Sequence, residues 1–427
     1  MLTNVVFRCG RAVRRPPGTG GRHRPGARRC QHRFIIVSSM NVQDPLMTTR
    51  DRIERRIEEL VVRLLDTHSE DLGSATSERL CRAVADQALV SSQGGKRLRA
   101  LLLLTFHDVL RGPVDTDDAE ARGALDTACA IEVFQTAALV HDDIIDDADV
   151  RRGRPAAHKA LESFCAGHSP TPMGSDAASI GNGLGIMLGD LLATASVAIV
   201  NEATAPMANH GWMLDRFLAM HRDVEIGQVM DLAAERMPLD SPAALASNAL
   251  AVSRWKTASY TTVAPIELAL LAAGLDPTVC RGAAREIGVP LGTAFQLADD
   301  LLDVIADPAV TGKPVGGDIR EGKRTVLLAD ALDAFDGSLP SEAAFLRERF
   351  SAPRRDDDDV ARIIDAFVAS GAVDRSKDRI ARLWDRTRDA ITDTSAKLGL
   401  SPDSTETLRS MCARFIPGAL HVEISPA

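Results

Sequence analysis

Apolar segments with helical spacing constrain the fold of this chain more than any other sequence feature. From about residue 48 they follow one another with a period near 3.6 residues, which is typical of α-helices. In RIERRIEELVVRLLD, for example, Ile53, Ile57 and Leu60 fall on one face. Later segments such as GIMLGDLLATASVAIV are apolar on nearly all sides, as expected of central helices. We therefore predict an all-α protein, a single large helical bundle with a central cavity.

The first 43 residues do not follow this pattern. They contain nine arginines, no acidic residue, and several Gly and Pro residues that would interrupt an amphipathic helix. We predict a disordered Arg/Gly/Pro-rich arm over residues 1–43 and an all-helical domain over residues 44–427. The arm is either an inert upstream extension or a functional tail, and the sequence leaves both interpretations open.

The predicted helical domain is strongly acidic. Without the nine arginines of the arm, it carries 41 basic against 59 acidic residues, a net charge of −18. Such a surface repels phosphate backbones, so we expect no nucleic-acid partner. It also needs cations to offset the negative charge somewhere in the molecule.

Cysteine spacing and hydropathy narrow the class of protein further. Seven cysteines are scattered without a CxxC pair, which argues against a zinc site or a disulfide framework. We find no apolar run near the ~20 residues that span a bilayer, so we predict no transmembrane segment and a cytoplasmic location. The Gly/Ser/Pro-rich interruption over residues 165–183 is predicted to be a loop inserted within the domain.

The stretch HDDIIDDADVRRGRP, residues 141–155, gathers five aspartates and then three arginines. Asp142, Asp143 and Asp146 occupy positions i, i+1 and i+4, so Asp142 and Asp146 share one face of a helix. Because an apolar segment precedes them, they would end a core helix, where desolvation and repulsion raise carboxyl pKa values unless a cation intervenes. All-oxygen ligands of this kind suit Mg²⁺.

The same spacing recurs in FQLADDLLDV, where Asp299, Asp300 and Asp303 follow another apolar helix. One such cluster is common on a solvated helix face. Two that each end an apolar helix can face each other across a bundle and hold metal ions between them, so we predict a shared metal site. The acidic run Asp356–Asp359 precedes an amphipathic helix, and we interpret it as a solvated first turn that favours the helix dipole.

Basic residues near the two clusters indicate what the metal ions would hold. They lie in QGGKRLRA, RRGRP, RWKTASY and TGKPVGGDIREGKRT. Several of them stand beside glycines, which let the backbone approach an anion, and Lys and Arg side chains match phosphate geometry. We predict that the substrates carry diphosphate groups. The sequence has neither the Walker spacing nor a dinucleotide-binding fingerprint, so ATP and NAD are not indicated.

Taken in order, GGKRLR, HDDIIDDADVRRGRP, GQVMD, KT, FQLADDLLD and GKPVGGDIREGKRT resemble the motifs of the trans-isoprenyl diphosphate synthases, the polyprenyl synthetase family. The resemblance covers about residues 50–415. It implies the isoprenoid synthase fold, a homodimer and three Mg²⁺ per active site. It also implies a transferase of isoprenoid biosynthesis that condenses isopentenyl diphosphate head to tail (1'-4) with an allylic diphosphate.

The resemblance also assigns roles to residues by position. Isopentenyl diphosphate would be bound by Lys96, Arg99, Gln135 and Arg152, with Gln135 standing where many members have histidine. The allylic diphosphate would be bound by Arg151, Lys256, Lys313 and Lys323. Mg²⁺ would be bound by Asp142, Asp146 and Asp299, with Asp143, Asp300 and Asp303 supporting the clusters. Lys256, Thr257 and Gln296 would be the catalytic residues, with the dipoles of Thr257 and Gln296 directed at the reacting carbon.

Product length in this family depends on side chains four and five residues before the first motif, which here are Ala138 and Ala137. Two small residues leave the tunnel open beyond a farnesyl chain, so the resemblance implies geranylgeranyl diphosphate or a longer product. Phe134, one turn lower, is the next candidate stop. We expect Ala137→Phe to shorten the product. Alternatively, the alanines only permit close helix packing and another residue closes the tunnel.

Other functions remain as alternatives to this one. Within the family, the chain could be a farnesyl diphosphate synthase. A class I terpene cyclase shares the bundle and one DDxxD motif but lacks the pocket of Lys96, Arg99 and Arg152. A non-catalytic subunit of a heteromeric synthase would usually have lost aspartates from one motif, whereas both are intact here. No histidine is required for the reaction, and His141 is expected to be an ordinary helix residue.

Overall fold

The computed structural model describes residues 45–65, 73–112, 118–168, 176–306 and 315–417. These ranges belong to one compact unit and are helical apart from one short β-hairpin, which confirms the predicted all-α bundle. The predicted arm over residues 1–43 lies outside the described residues, as does Lys313. Both remain predictions.

The first part of the bundle contains seven helices and the hairpin. Their bounds are α1 Pro45–Leu65, α2 Ala75–Ser92, α3 Leu98–Arg111, α4 Ala119–Ile145, β1 Val150–Arg151, β2 Arg154–Pro155, α5 Ala157–His168, α6 Asp176–Thr204 and α7 His210–Ala234. The two strands pair antiparallel, with Val150 opposite Pro155. The hairpin therefore places Arg151 directly after the end of α4.

The second part begins with one continuous helical run whose middle third is a π-helix. The run consists of α8 Pro242–Val252, the π segment Ser253–Val263 and α9 Ala264–Ala272. The remaining helices are α10 Pro277–Ile305, α11 Gly317–Glu321, α12 Val326–Asp336, α13 Pro340–Ser351, α14 Asp357–Ala369, α15 Ala372–Lys397 and α16 Pro402–Ala413.

The two helices that end in aspartate clusters, α4 and α10, run through the core. α4 packs along α6, and α10 packs against the π segment and α15. Ile131, Val133 and Phe134 of α4 are all buried although they point in different directions. The sequence of α4 is apolar on nearly all sides because the helix has neighbours on every side. Its aspartates lie at the C-terminal end of this buried helix.

Within the described ranges, two helices are long and apolar enough, by length and composition alone, to cross a membrane. They are α4 and α6, so the expectation that no apolar run approaches this length is wrong, whereas the absence of a transmembrane segment stays a prediction. The apolar window of α4 is 78% buried inside the bundle, and that of α6 is 44% buried. Core packing therefore accounts for the apolar sequence of α4, whereas less than half of the α6 window is buried.

The predicted loop over residues 165–183 is also wrong at both ends, because α5 continues to His168 and α6 begins at Asp176. Residues 169–175 of the predicted loop lie outside the described residues. One glycine of the stretch, Gly181, serves close helix packing. A Cβ at Gly181 would lie 2.7 Å from the carbonyl oxygen of His158 on α5, and Gly185 also approaches His158. Small residues in this stretch thus let α5 and α6 touch.

The interpretation of the acidic run before α14 is confirmed. Asp356 is the N-cap of this helix and accepts a hydrogen bond from the backbone N–H of Asp359, while Asp357, Asp358 and Asp359 fill the first turn. Carboxylates in this position interact favourably with the helix dipole. The run therefore has a structural explanation.

Candidate active site

The first aspartate cluster, Asp142, Asp143 and Asp146, occupies the last turn of α4. Asp142 and Asp146 are half-buried, and Lys256 of the π segment approaches Asp142 with its Nζ 3.2 Å from Oδ1. The same ammonium lies 2.7 Å from Oδ2 of Asp231 on α7. Lys256 is thus positioned by two carboxylates from different helices, and the surrounding negative charge raises its pKa despite burial.

Asp143 points away from its two neighbours and is buried. Its Oδ1 accepts a hydrogen bond of 2.7 Å from Nε of Arg151 and a second one from Nη2 of the same guanidinium. Burial raises the pKa of Asp143, and Arg151 opposes that rise. The hairpin that holds Arg151 turns at Arg152 and Gly153, both with positive φ. Asp143 therefore supports the cluster by fixing the hairpin.

Asp146 has the most perturbed environment of the first cluster. Burial and the neighbouring charge of Asp142 raise its pKa to about 6, and Lys323 partly opposes the shift. Nζ of Lys323 lies 3.9 Å from Oδ2 of Asp146. A carboxyl that ionises with difficulty beside a second carboxylate is the situation that a bound cation relieves.

The second aspartate cluster, Asp299, Asp300 and Asp303, lies near the end of α10. Asp299 is exposed, whereas the side chain of Asp300 accepts a hydrogen bond of 2.8 Å from the amide nitrogen of Gln296. The amide oxygen of Gln296 in turn accepts a hydrogen bond of 2.6 Å from the hydroxyl of Thr257. Burial and the charge of Asp318 raise the pKa of Asp300 well above its usual range.

Asp303 holds the short helix α11 in place. Its carboxylate accepts hydrogen bonds of 3.0 Å from the backbone N–H groups of both Gly317 and Asp318. This contact fixes the segment that carries Lys323, whose Nζ lies 3.4 Å from Asp318 and 2.6 Å from Glu321. Asp303 therefore has a positioning role similar to that of Asp143, but it uses backbone amides instead of a guanidinium.

Two chains of contacts join the clusters. One runs from Asp142 to Lys256 and, through its neighbour Thr257, to Gln296 and Asp300. The other runs from Asp146 through Lys323 to α11, which Asp303 caps. The predicted approach of the two acidic helix ends is thus supported by two routes of contacts that pass through other residues.

Within the described ranges, no group of three or more His, Cys, Asp or Glu side chains is arranged to hold a metal ion by itself. Asp142 and Asp146 are instead each approached by a lysine, Lys256 and Lys323. The charge of Lys323 also opposes the rise in the pKa values of Asp300 and Asp303. Oxygen ligands without His or Cys suit Mg²⁺, which usually completes its shell with water and substrate phosphate oxygens. The donor set therefore fits a metal that is shared with an anionic substrate.

Three glycines explain how the π segment comes so close to the site. A Cβ at Gly227 of α7 would lie 2.3 Å from the backbone nitrogen of Lys256, and Gly292 of α10 would meet Ala258 at 2.5 Å. Gly288 approaches Val263 in the same way. Because only glycine fits at these contacts, α7 and α10 clamp the π segment directly. Single π-helical turns are frequent at functional sites.

The predicted isopentenyl diphosphate residues are not gathered in one cavity of the structure. Lys96 is exposed and lines a cavity between α1, α3 and α16. Arg152 lines a different cavity of about 340 Å³, where its Nη1 donates to the carbonyl of Gln93 at 3.0 Å. Arg99 is buried and donates to the hydroxyl groups of Tyr260 and Thr261 at 2.7 and 2.8 Å. Their shared role stays a prediction.

The predicted chain-length residues lie on the face of α4 below the first cluster. Ala137 is buried and Ala138 is half-buried. Gln135, which follows Phe134 in the sequence, is also half-buried. Phe134 is 1% exposed, and its ring stacks on His221 with centroids 3.8 Å apart. His141 contacts the carbonyl of Ile186 at 3.2 Å, as expected of an ordinary helix residue.

Sequence reasoning missed two residues that shape the site. Arg97, between Lys96 and Arg99, has a positive φ and is buried, with a bidentate pair to Glu54 at 2.7 and 2.9 Å. Its Nη1 also lies 3.3 Å from Glu132 of α4. Asp231 was included in the GQVMD motif but received no role, although it holds Lys256. The position of Arg97 between Lys96 and Arg99, two residues after a glycine pair, was the available sign for it.

The helical fold, the paired aspartate clusters and the lysines beside them define a prenyltransferase with the all-α isoprenoid synthase fold. Comparison with known proteins agrees. The family model "Polyprenyl synthetase" matches residues 79–367. A geranylfarnesyl diphosphate synthase from Aeropyrum pernix is 31% identical over 339 residues, which cover 78% of this chain and 93% of that protein.

Solved structures show the same similarity. A geranylgeranyl pyrophosphate synthase from Corynebacterium glutamicum, complexed with isoprenyl diphosphate and magnesium, is 29% identical with a TM-score of 0.72, covering 86% of this chain and 98% of the other. A polyprenyl synthase from Caulobacter crescentus CB15, complexed with calcium and isoprenyl diphosphate, is 26% identical with a TM-score of 0.66, covering 87% and 96%. The chain belongs to the polyprenyl synthetase family.

Proposed function

We propose that this enzyme joins isopentenyl diphosphate head to tail to an allylic diphosphate. The observation that carries the proposal is that two intact aspartate clusters are joined along two routes. One passes from Lys256 through its neighbour Thr257 to Gln296, and the other passes from Lys323 to α11. A non-catalytic subunit would not need both clusters intact. Family relatives named as isoprenyl diphosphate synthases support the same substrates.

Three Mg²⁺ per active site are part of this proposal. Asp142, Asp146 and Asp299 would hold them, because the carboxylates of Asp143 and Asp303 are occupied by Arg151 and by backbone amides. When bound, the ions would neutralise the negative charge that develops on the leaving diphosphate. Solved relatives with magnesium or calcium beside isoprenyl diphosphate support this assignment.

The chain's own residues would stabilise charge separation in the reaction. Lys256 and Lys323 would bind the allylic diphosphate, and the dipoles of Thr257 and Gln296 would face the allylic carbon as its C–O bond breaks. The double bond of isopentenyl diphosphate then forms the new C–C bond, and its lost proton passes to the released diphosphate. Holding both substrates in place supplies a further part of the acceleration.

A homodimer is proposed from the exposed face of α6. Ile186, Met187 and Leu191 are 42%, 52% and 45% exposed on this helix, and its apolar window is less than half buried. A second copy of the chain is the natural occupant of such a face, because homodimer interfaces resemble a protein core more than a surface. Leu191→Glu should yield monomers in sedimentation velocity, whereas Val368→Glu on exposed α14 should not.

The proposed activity is tested with purified protein, Mg²⁺, labelled isopentenyl diphosphate and each allylic primer in turn. Chromatography of the products should show geranylgeranyl diphosphate or a longer chain, because the small side chains of Ala137 and Ala138 would leave room for the growing chain below the first cluster. Products that stop at farnesyl diphosphate would establish the alternative activity within the family. Absence of any condensation with every primer would refute the proposal.

A further inference from the structure

Helices α4 and α7 each carry an aspartate that contacts Lys256 and, closer to the N-terminus of the helix, an aromatic ring that contacts the ring of the other helix. On α4, Phe134 precedes Asp142 by eight residues, about 12 Å along the axis at 1.5 Å per residue. On α7, His221 precedes Asp231 by ten residues, about 15 Å on the same scale. Lys256 contacts both Asp142 and Asp231 at the upper end, and Phe134 stacks on His221 at the lower end. The two helices thus border one elongated region.

His221 is held at this lower end from several sides. Its ring lies parallel to that of Phe134, with an interplanar angle of 24°, and 5.0 Å from the ring of Phe217. Ser196 of α6 places its hydroxyl 3.3 Å from Nε2 of His221. Burial lowers the pKa of His221 to about 4. The ring is therefore uncharged near neutral pH, which suits contact with a hydrocarbon.

On the face of α4 that carries Ala137 and Ala138, the side chains between Asp142 and Phe134 are too small to stop a growing prenyl tail. Ala138 and Ala137 follow in the direction of the tail, and the ring of Phe134 is reached next, with one face covered by His221. Tyr260 meets the same ring edge-on at 6.1 Å. A tail that passes the alanines therefore arrives at a packed aromatic pair contributed by two helices.

We propose that His221, stacked on Phe134, closes the tail cavity and sets the length of the product. The inference rests on the proposed chain-elongation activity and adds a specificity-determining residue on α7 to those expected on α4. To grow further, a tail must separate the two stacked rings, which resist separation because they contact each other closely. His221 is not a catalytic residue, since it lies far from the diphosphate end.

Tyr260 provides an internal comparison for this proposal. The guanidinium of Arg99 lies 4.2 Å from the centroid of the Tyr260 ring, and Nη2 of Arg99 donates a hydrogen bond of 2.7 Å to the Tyr260 hydroxyl. Because Arg99 is a predicted isopentenyl diphosphate ligand, Tyr260→Ala should change both product length and KM for isopentenyl diphosphate. His221 contacts Phe134 at the proposed end of the tail cavity, so His221→Ala should change product length without changing KM for isopentenyl diphosphate.

The test uses the full-length protein with Mg²⁺, labelled isopentenyl diphosphate and an allylic primer. His221→Ala should lengthen the main product by at least one isoprene unit with KM for isopentenyl diphosphate unchanged. His221→Phe, which keeps the stack, should retain the wild-type length. The matched control is Phe350→Leu, which disturbs a stacked pair with Phe367 elsewhere in the bundle and should also retain the wild-type length.

An active His221→Ala enzyme with wild-type product length would overturn the proposal. If His221→Ala does not fold, as judged by circular dichroism, His221→Val decides the question by the same criterion. These outcomes concern product length in an active enzyme. They are distinguishable from failure of the proposed function, which would appear as absence of condensation in the wild-type protein.

Discussion

The two aspartate clusters share one sequence pattern but are used differently by the protein. In the first cluster the middle aspartate, Asp143, binds Arg151 of the hairpin. In the second cluster the last aspartate, Asp303, caps α11. Each cluster therefore uses one carboxylate to fix the segment that follows its helix.

This difference shows that position within the motif does not determine the role of a carboxylate. The segment after α4 is a hairpin that presents a guanidinium, so Asp143 forms an ion pair. The segment after α10 returns as a helix whose first amides are free, so Asp303 accepts hydrogen bonds from them. Substitutions can separate the carboxylates proposed to bind metal from those that hold the following segment in place.

The largest effect is expected at Asp142 and Asp299. Alanine at either position removes an oxygen ligand proposed to act in the transition state, and loss of one such electrostatic contact lowers kcat by about 10²–10³. The thermal unfolding midpoint of Asp299→Ala should stay near that of the wild type, because Asp299 is exposed. Steady-state assays with labelled isopentenyl diphosphate measure kcat. Near-normal Mg²⁺-dependent turnover in either variant would contradict the assignment.

Asp143→Ala should be destabilising as well as less active. It leaves the guanidinium of Arg151 without its partner. Because the Arg151 side chain is 38% exposed, water offsets part of the loss, and we expect a cost of about 1–2 kcal/mol. Urea unfolding followed by circular dichroism measures the change, with Asp299→Ala as the matched control. Equal stability of the two variants would remove the distinction between the clusters.

Asp303→Ala should have a smaller effect on stability and a specific effect on substrate binding. Removal of a helix cap costs about 1 kcal/mol, and α11 would no longer fix Lys323 next to Asp146. KM for the allylic diphosphate should therefore rise more than KM for isopentenyl diphosphate. An equal rise in both constants would indicate that α11 does not position Lys323 for the allylic substrate.

The smallest effect concerns the metal-free protein. The pKa of Asp146 is raised from 3.8 to about 6, so the folded state holds this proton more tightly than the unfolded state. Ionisation of Asp146 therefore removes stability as pH rises from about 4 to 6, and the full cost applies above that range. In EDTA, Asp146→Asn should raise the melting temperature at pH 8 and not at pH 4. A pH-independent difference would contradict the origin of the shift.

The sequence was sufficient to predict the helical bundle, because apolar periodicity reports burial directly and α4 and α10 are apolar on nearly all sides. The supporting roles of Asp143, Asp300 and Asp303, which the family resemblance implies, stay predictions. The sequence pattern misplaced the loop over residues 165–183, since glycines that break helices in isolation can instead serve helix contacts, as Gly181 and Gly185 do. Local pattern does not distinguish the two uses.

Other features depend on contacts between distant segments and have no local pattern. The pairing of Arg97 with Glu54 joins residues 43 positions apart. The stack of Phe134 on His221 joins α4 to α7. The π-helical geometry that presents Lys256 and Thr257 depends on glycines in α7 and α10. Spacing within one segment cannot predict such arrangements.

The central claim is that both aspartate clusters bind the same metal–diphosphate assembly. Calorimetric titration of Mg²⁺ with and without inorganic pyrophosphate tests it most directly. We expect weak binding of Mg²⁺ alone and tight binding with pyrophosphate, and we expect both Asp142→Ala and Asp299→Ala to abolish the tight phase. Tight binding that persists when one cluster is disabled would show that the clusters act separately, contrary to this account.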